Sequence, residues 1–251
     1  MRRFFIHPST VQDGTAVISG TEANHIKNVL RLKPGGSVCL CDGQGREYHG
    51  KISGFSSEGV CVSGLSFLDS SPDPPVEITI AQGFLKDKKM DNLVRPLSEL
   101  GVSRWVPFMA ERSVARPDPG RLQERVQRWE MIARESLKQC RRTRLLEIYP
   151  ALSFEEALDM GKGHDVKFIF WEGASDARIS SRSSYSGNSI FAFLGPEGGF
   201  SEQEVALAGS AGFSPAGLGP RILRSETAAV AVSALLQFIF GDMGCGMDLD
   251  N

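Results

Sequence analysis

Three prolines fall within four positions at Pro72-Asp73-Pro74-Pro75. Proline lacks a backbone donor and fixes φ, so neither a helix nor a central strand runs through such a segment. With Asp69-Ser70-Ser71 ahead of it, the stretch reads as a stiff, exposed linker. It divides the chain into a first domain over residues 1–70, a linker over 71–75 and a second domain over 76–251. A chain of 251 residues is long enough to give both a core.

The two parts differ in pattern. Ahead of the linker, short alternating runs at Arg3–His7, Ser37–Cys41, Tyr48–Ser53 and Val60–Phe67 read as strands, with a turn at Asp42-Gly43-Gln44-Gly45. One helix is expected over Glu22–Val29, with Thr21 as its N-cap. Short strands with a single helix suit a small barrel. Behind the linker, strands are predicted at Val76–Gln82, Trp105–Met109, Val166–Trp171, Ser189–Leu194 and Pro215–Leu218. Helices are predicted at Lys88–Leu100, Asp118–Gln139, Phe154–Met160, Glu202–Ala211 and Glu226–Phe240. Apolar runs without alternation fit strands covered on both faces, and their alternation with helices predicts an α/β domain with a mainly parallel sheet. The Ser-rich segment 179–188 reads as a surface loop and residues 241–251 as a frayed tail.

Two loops carry chemistry. Leu194-Gly195-Pro196-Glu197-Gly198-Gly199-Phe200-Ser201 follows a buried strand and precedes a helix with the capping signature Ser201-x-x-Glu204. Open α/β sheets bind ligands beyond the carboxyl ends of their strands, where glycines admit close backbone approach. On glycine content alone, a ligand-free strand-to-helix turn serves equally well. Neither the Gly-Lys-Ser/Thr of a phosphate loop nor Gly-x-Gly-x-x-Gly spacing is present. The second loop, Leu218-Gly219-Pro220-Arg221-Ile222-Leu223-Arg224-Ser225-Glu226-Thr227-Ala228, also joins a strand to a helix. Arg221 and Arg224 lie at the ligand end of the sheet, which favours a functional reading of at least one. Glu226 has a catalytic role available and also a bland one, since a carboxylate in a first helical turn gains about 0.3–1 kcal/mol.

Charge adds a third signal. The net charge is only −2, yet residues 86–150 hold fifteen Lys and Arg against nine Asp and Glu. Arg134, Lys138, Arg141, Arg142 and Arg144 cluster at the end of the long helix. Such a cluster is either a solvated helix terminus or the footprint of a phosphate backbone. The four histidines are scattered and the five cysteines form no matched C-x-x-C pairs, so neither a hydrolytic triad nor a metal site is expected. Cys39 and Cys41 read as small apolar residues on one face of a strand. No run is long enough to span a membrane, and the cysteine usage fits a reducing cytosol, so a cytoplasmic protein is expected.

With both loops in view, the sequence resembles the bacterial 16S ribosomal RNA uridine-N3 methyltransferases of the SPOUT superfamily. The resemblance rests on Met1-Arg2-Arg3-Phe4-Phe5, His25-Ile26, Val29-Leu30-Arg31-Leu32, Lys86, Lys88 to Asp91, Ser98-Glu99-Leu100-Gly101-Val102, Glu111-Arg112-Ser113, Gln139 with Arg142, and above all the two glycine loops at their spacing. Arg95-Pro96-Leu97 and Ser136 depart from the family pattern, away from those loops.

The resemblance implies a PUA-like β-barrel first and an α/β domain with a trefoil knot second. It implies a homodimer that uses S-adenosyl-L-methionine to methylate N3 of the uridine at position 1498 of 16S ribosomal RNA, in the small ribosomal subunit. The cofactor is then expected on Leu194, Gly195, Pro196, Glu197, Gly198 and Gly199 from one side and Leu218, Gly219, Arg221, Ile222, Leu223, Arg224 and Thr227 from the other. Leu218, Ile222 and Leu223 are expected against the adenine. Uracil N3 is a poor nucleophile until it loses its proton. Arg224 is therefore expected to stabilise the anion, with Glu226 as proton acceptor or as the group that orients Arg224. RNA is expected on Arg134, Lys138, Arg141 and Arg142, with Arg2, Arg3 and Arg31.

Overall fold

Alternation of apolar side chains builds the first unit. β1 (Arg2–Phe5), β2 (Val11–Gln12), β3 (Thr15–Ile18), β4 (Ser37–Cys41), β5 (Glu47–Phe55) and β6 (Val60–Leu68) form one sheet in the order β1-β4-β5-β6-β3-β2. Every pairing is antiparallel except β1 with β4. Alternate residues such as Phe4, Ile18, Val38, Leu40, Ile52 and Val62 meet in one core with Ala23 and Ile26. Those two come from α1 (Gly20–Asn24) and the π-helical turn His25–Val29 that continues it. The N-cap is Ser19 and not Thr21, because the extended backbone of Ser19 already starts the first turn. The turn expected at residues 42–45 forms as Asp42 Oδ1 accepts hydrogen bonds from the amides of Gln44 at 2.8 Å and Arg46 at 3.1 Å.

The structure, a computed structural model, describes residues 1–68, 73–174, 177, 179 and 187–244. Residues 71 and 72 of the linker, residues 180–186 of the Ser-rich segment and the tail from Cys245 onward lie outside them. The chain divides at 73/74, within the expected linker, but the first unit also takes in residues 134–145. The second comprises residues 74–133 and 146–251. The contiguous first domain expected over 1–70 thus gains a returning segment, drawn from the end of α3 (Pro119–Cys140) and the residues after it.

Local interactions show why that segment belongs there. The Asp73 carboxylate accepts from Arg142 Nε at 3.1 Å, from the amides of Thr143 and Arg144 at 3.1 and 3.0 Å, and from the Thr143 hydroxyl. Lys138 Nζ lies 2.6 Å from Glu22 Oε1, and the Arg134 guanidinium sits over the Phe5 ring at 5.2 Å.

The second unit is a parallel sheet. β7 (Glu77–Gly83), β8 (Arg104–Met109), β9 (Glu147–Ile148), β10 (Leu152–Ser153), β11 (Val166–Phe170), β12 (Ser189–Leu194) and β13 (Ser214–Ala216) run in the order β10-β8-β7-β12-β11-β13, with β9 also on β8. All pairings are parallel. The continuous apolar runs are buried as expected: β12 exposes none of its last five residues. Phe108, Phe154, Phe191, Phe193, Phe200 and Phe213 fill one core, in which Phe108 and Phe193 meet edge to face at 5.3 Å. The short strands β9 and β10 lie beyond the predicted set.

The helices of this unit are α2 (Lys89–Glu99), α4 (Phe154–Gly161), α5 (Glu202–Ser210) and α6 (Ser225–Ile239), besides the start of α3. Pro96 sits inside α2 without ending it. Among the described residues, no helix is long and apolar enough to cross a membrane.

Candidate cofactor cleft

The parallel sheet puts the carboxyl ends of β7, β11 and β12 side by side. β12 delivers the chain into residues 195–200, and α5 takes it away from a formed capping box in which Ser201 Oγ accepts from the Glu204 amide and Glu204 returns the bond. Glu204 is buried, and its second oxygen accepts from the Glu111 amide at 2.9 Å, so the carboxylate is spent on holding the loop base.

At Gly199 it is the backbone conformation that calls for glycine. Gly199 has φ 68°, and a Cβ there would sit 2.7 Å from a Glu172 carboxylate oxygen. At Gly83, the last residue of β7, a Cβ would fall 2.6 Å from the backbone nitrogen of Pro196. The loop therefore lies directly against the end of β7.

Gln82 and Ser225 lock this junction. Gln82 is fully buried, and the two hydrogens of its Nε2 are shared among the Gly195 carbonyl at 3.2 Å, the Gly83 carbonyl at 3.0 Å and Ser225 Oγ at 3.0 Å. Ser225 Oγ donates in turn to the Gly195 carbonyl at 2.5 Å. The start of α6 is thus fastened to the ends of β7 and β12. Neither residue was singled out from the sequence. Gln82 is legible as a polar residue at the carboxyl end of a strand whose other polar residues are Glu77 and Thr79; Ser225 carries no signal, being a serine in a loop.

Between the two glycine loops lies a cleft of about 560 Å³. That is within the range of about 300–1,000 Å³ typical of small-molecule sites. It is lined by residues 194–200, 216–226 and 228, with Lys89, Phe170, Trp171 and Glu172. Every residue expected to hold the cofactor lines it except Thr227. Ser225 and Ala228, three apart on one face of α6, line it instead, while Thr227 is exposed off that face. Ile222 is 89% exposed at the rim, whereas Leu194 is buried in the floor.

Charge in the cleft is organised by a residue without an assigned role in the sequence reading. Lys89 Nζ lies 3.0 Å from Glu197 Oε1 and 3.5 Å from Glu226 Oε2. The Lys86 amide donates to the same Glu197 oxygen at 3.2 Å. Burial pushes the Glu197 carboxyl up, but the hydrogen bonds from Lys89 and the backbone outweigh it and hold the group below the usual carboxylate range. Lys89 is held above the ordinary lysine value, chiefly by its hydrogen bond to Glu197. Arg221 and Arg224 are both exposed in the cleft wall, and Arg224 is the N-cap of α6.

The residues fit S-adenosylmethionine. Glycine-rich backbone can approach a nucleoside closely, Phe170, Leu194, Leu218 and Leu223 supply apolar surface, and Glu172, Glu197 and Glu226 offer negative charge to a cationic ligand.

The basic residues expected on RNA separate into two groups. Arg3 is paired with Glu47 and donates to the Arg142 carbonyl at 3.1 Å. Lys138 is held by Glu22 and Glu135, and the Arg142 side chain, 6% exposed, by Asp73. These three are tied into the first unit by their own ion pairs. Arg2, Arg31, Arg134 and Arg141 are exposed.

Comparison with known proteins agrees with the cleft. A family model described as an RNA methyltransferase domain matches residues 72–237, and one described as an RNA methyltransferase PUA domain matches residues 18–63. Ribosomal RNA small subunit methyltransferase E of Bacillus subtilis (strain 168) is 30% identical over 255 residues, covering 96% of this chain and all of its own. Ribosomal RNA small subunit methyltransferase E from Neisseria gonorrhoeae, solved bound to S-adenosyl methionine, superposes with a TM-score of 0.86 at 30% identity, over 97% of this chain and 99% of that one. A Legionella pneumophila methyltransferase in complex with the same cofactor gives a TM-score of 0.84 at 28% identity, over 96% and 98%. With an N-terminal PUA domain and an RNA methyltransferase domain whose glycine loops enclose a cofactor-sized cleft, this chain belongs to the ribosomal RNA small subunit methyltransferase E family.

Proposed function

We propose that this protein transfers a methyl group from S-adenosylmethionine to N3 of a uridine in 16S ribosomal RNA, at position 1498. The observation that carries the reading is the cleft between residues 194–200 and 216–226, which faces Arg224 and Glu226 toward one space. The relatives named for small-subunit ribosomal RNA, one of them bound to S-adenosyl methionine, support the substrate and the cofactor.

When bound, the cofactor supplies a methyl group already activated as a sulfonium. The chain must then orient the acceptor base and manage its proton. The two glycine loops hold the cofactor from either side. Arg224, exposed and without a carboxylate partner among the described residues, stabilises the negative charge on uracil as N3 is deprotonated. Glu226, in the first turn of α6, accepts that proton, and Lys89 steadies it from 3.5 Å. Arg2, Arg31, Arg134 and Arg141 contact phosphates, so RNA binding falls steeply with salt. The protein works in the cytoplasm as a homodimer. The trefoil knot implied by the resemblance is part of this reading; α6 packs on β7 and β12.

The test is methyl transfer from labelled S-adenosylmethionine to 30S subunits, free 16S RNA and transfer RNA lacking the modification, with the product mapped by mass spectrometry. Label as N3-methyluridine in 16S RNA is the expected result. Label confined to transfer RNA, or no transfer despite cofactor binding, overturns the substrate.

A further inference from the structure

β4 and β5 pair so that Cys39 stands directly opposite His49, and Cys41 opposite Glu47. Side chains alternate along a strand, so Cys39, Glu47 and His49 share one face. Their ligand atoms converge. Cys39 Sγ donates to Glu47 Oε1 at 2.8 Å, and His49 Nε2 lies 3.8 Å from the same oxygen, beyond hydrogen-bond reach. All three atoms lie within 4.8 Å of one another. Among the described residues, this is the one group of three or more His, Cys, Asp or Glu so arranged.

Zinc-class ions bind imidazole nitrogen, carboxylate oxygen and thiolate sulfur at about 2.0–2.3 Å, so ligands of one ion stand within about 4.6 Å of each other. The three groups need move only slightly to meet that spacing. Glu47 is already held, because its second oxygen pairs with Arg3, leaving Oε1 for the shared space. Supporting contacts of this kind orient metal ligands. Cys39 is buried, and the His49 side chain is 41% exposed, so the set closes on the interior side and opens to water on the other.

We propose that Cys39, Glu47 and His49 bind a divalent transition-metal ion of the zinc class, with its fourth position open to solvent beside His49. A sulfur, a nitrogen and an oxygen ligand select zinc or cobalt over magnesium or calcium. On binding, the metal–sulfur bond forms as the Cys39 S–H proton passes to water, and Glu47 Oε1 exchanges its hydrogen bond from the thiol for the ion. The bound ion clips β4 to β5 in the first unit. It lies apart from the methyl-transfer cleft in sequence and in chemistry, and methyl transfer does not depend on it.

The experiment is titration of the full-length, chelator-treated protein with Co²⁺, followed by near-ultraviolet absorbance. The expected result is a thiolate-to-cobalt charge-transfer band saturating at one equivalent and bleached by Zn²⁺. Cys39→Ser should abolish the band and Cys61→Ser should leave it. His49→Gln should weaken binding by at least about tenfold, the scale on which even supporting residues act. Cys39 is buried, so circular dichroism checks the fold of its variant; His49 is exposed, and its variant decides the matter independently. Absence of stoichiometric binding in the wild-type chain, an unchanged band in folded Cys39→Ser, or equal affinity in His49→Gln overturns the site.

Discussion

Lys89 holds its ammonium group 3.0 Å from a carboxylate oxygen of Glu197. Glu226 Oε2 lies 3.5 Å from the same ammonium. Removing the cation leaves two carboxylates of the cleft wall without their shared counter-ion. Hydrogen bonds to charged groups are worth about 1.5–3 kcal/mol, or roughly ten- to a hundredfold in an equilibrium. Lys89→Met is therefore expected to weaken cofactor binding by about tenfold by calorimetry, while Lys89→Arg keeps most of it. Unchanged affinity in Lys89→Met would remove the residue from the site.

Arg224 differs from Lys89 in having no ion pair among the described residues. Removing a single donor that stabilises developing negative charge costs about 10²–10³ in turnover. Arg224→Ala is expected to lose kcat on this scale with the cofactor dissociation constant little changed. Single-turnover methylation beside calorimetry measures both; a loss of cofactor affinity alone would make Arg224 a binding residue.

Gly83→Ala probes the contact between β7 and the loop after β12. The new Cβ would overlap the backbone of Pro196, which cannot swing away as a side-chain tip does. Overpacking of this kind typically costs about 1–3 kcal/mol. A lowered Tm together with weakened cofactor binding is the expected pair of results. A neutral change in both would show that the loop has more room than its geometry indicates.

Asp73 gathers Arg142, Thr143 and Arg144 onto one carboxylate. Breaking a buried pair by removing one partner typically costs about 3–5 kcal/mol, because the other charge stays buried. Asp73→Ala is expected to destabilise the first unit on that scale in denaturant unfolding, and to expose residues 134–145 in hydrogen exchange. Protection of that segment in the variant would contradict the clamp.

His164 offers a pH signature. Burial, and then the charge of Arg104, hold its imidazole below the ordinary value, and it lies 3.2 Å from the Thr79 hydroxyl. In the unfolded chain it protonates near about 6.5. As pH falls through that value, the unfolded state takes up a proton that the folded state refuses, so stability drops until the folded pKa is reached. The depressed carboxyls of Asp165 and Glu197 lose their contributions only in the more acidic carboxylate range. Tm measured between pH 7.5 and 5 should fall for the wild-type chain and fall less for His164→Gln. Parallel profiles would place the titration elsewhere.

Much of the second unit was legible because its signals are local. Ser189–Leu194 was read at its true limits, since an uninterrupted apolar run meets glycines at one end and a capping box follows. The cleft residues followed from the two loops. What escaped depends on partners distant in sequence. Arg3, Lys138 and Arg142 looked like surface charge because nothing adjacent announces Glu47, Glu22 and Asp73 as their counter-ions. Ser225 and Ala228 carry no signal of their own in the sequence, and helical phase alone turns them into the cleft. Lys89 and Gln82 took meaning only when parallel pairing set β7, with the turn after it, against β12.

The first unit is assembled from residues 1–73 and 134–145, and Asp73 at the end of one piece secures the other. Domains begin to fold as synthesis delivers them, the N-terminal one first. Here the N-terminal strands emerge long before the segment that completes them. The carboxylate of Asp73 has no Arg142 to meet until residues far into the second unit have left the ribosome. Folding of this protein is accordingly an interleaved process. A fragment cut at the proline segment is missing part of its own structure, and the two units cannot be separated by a single cleavage.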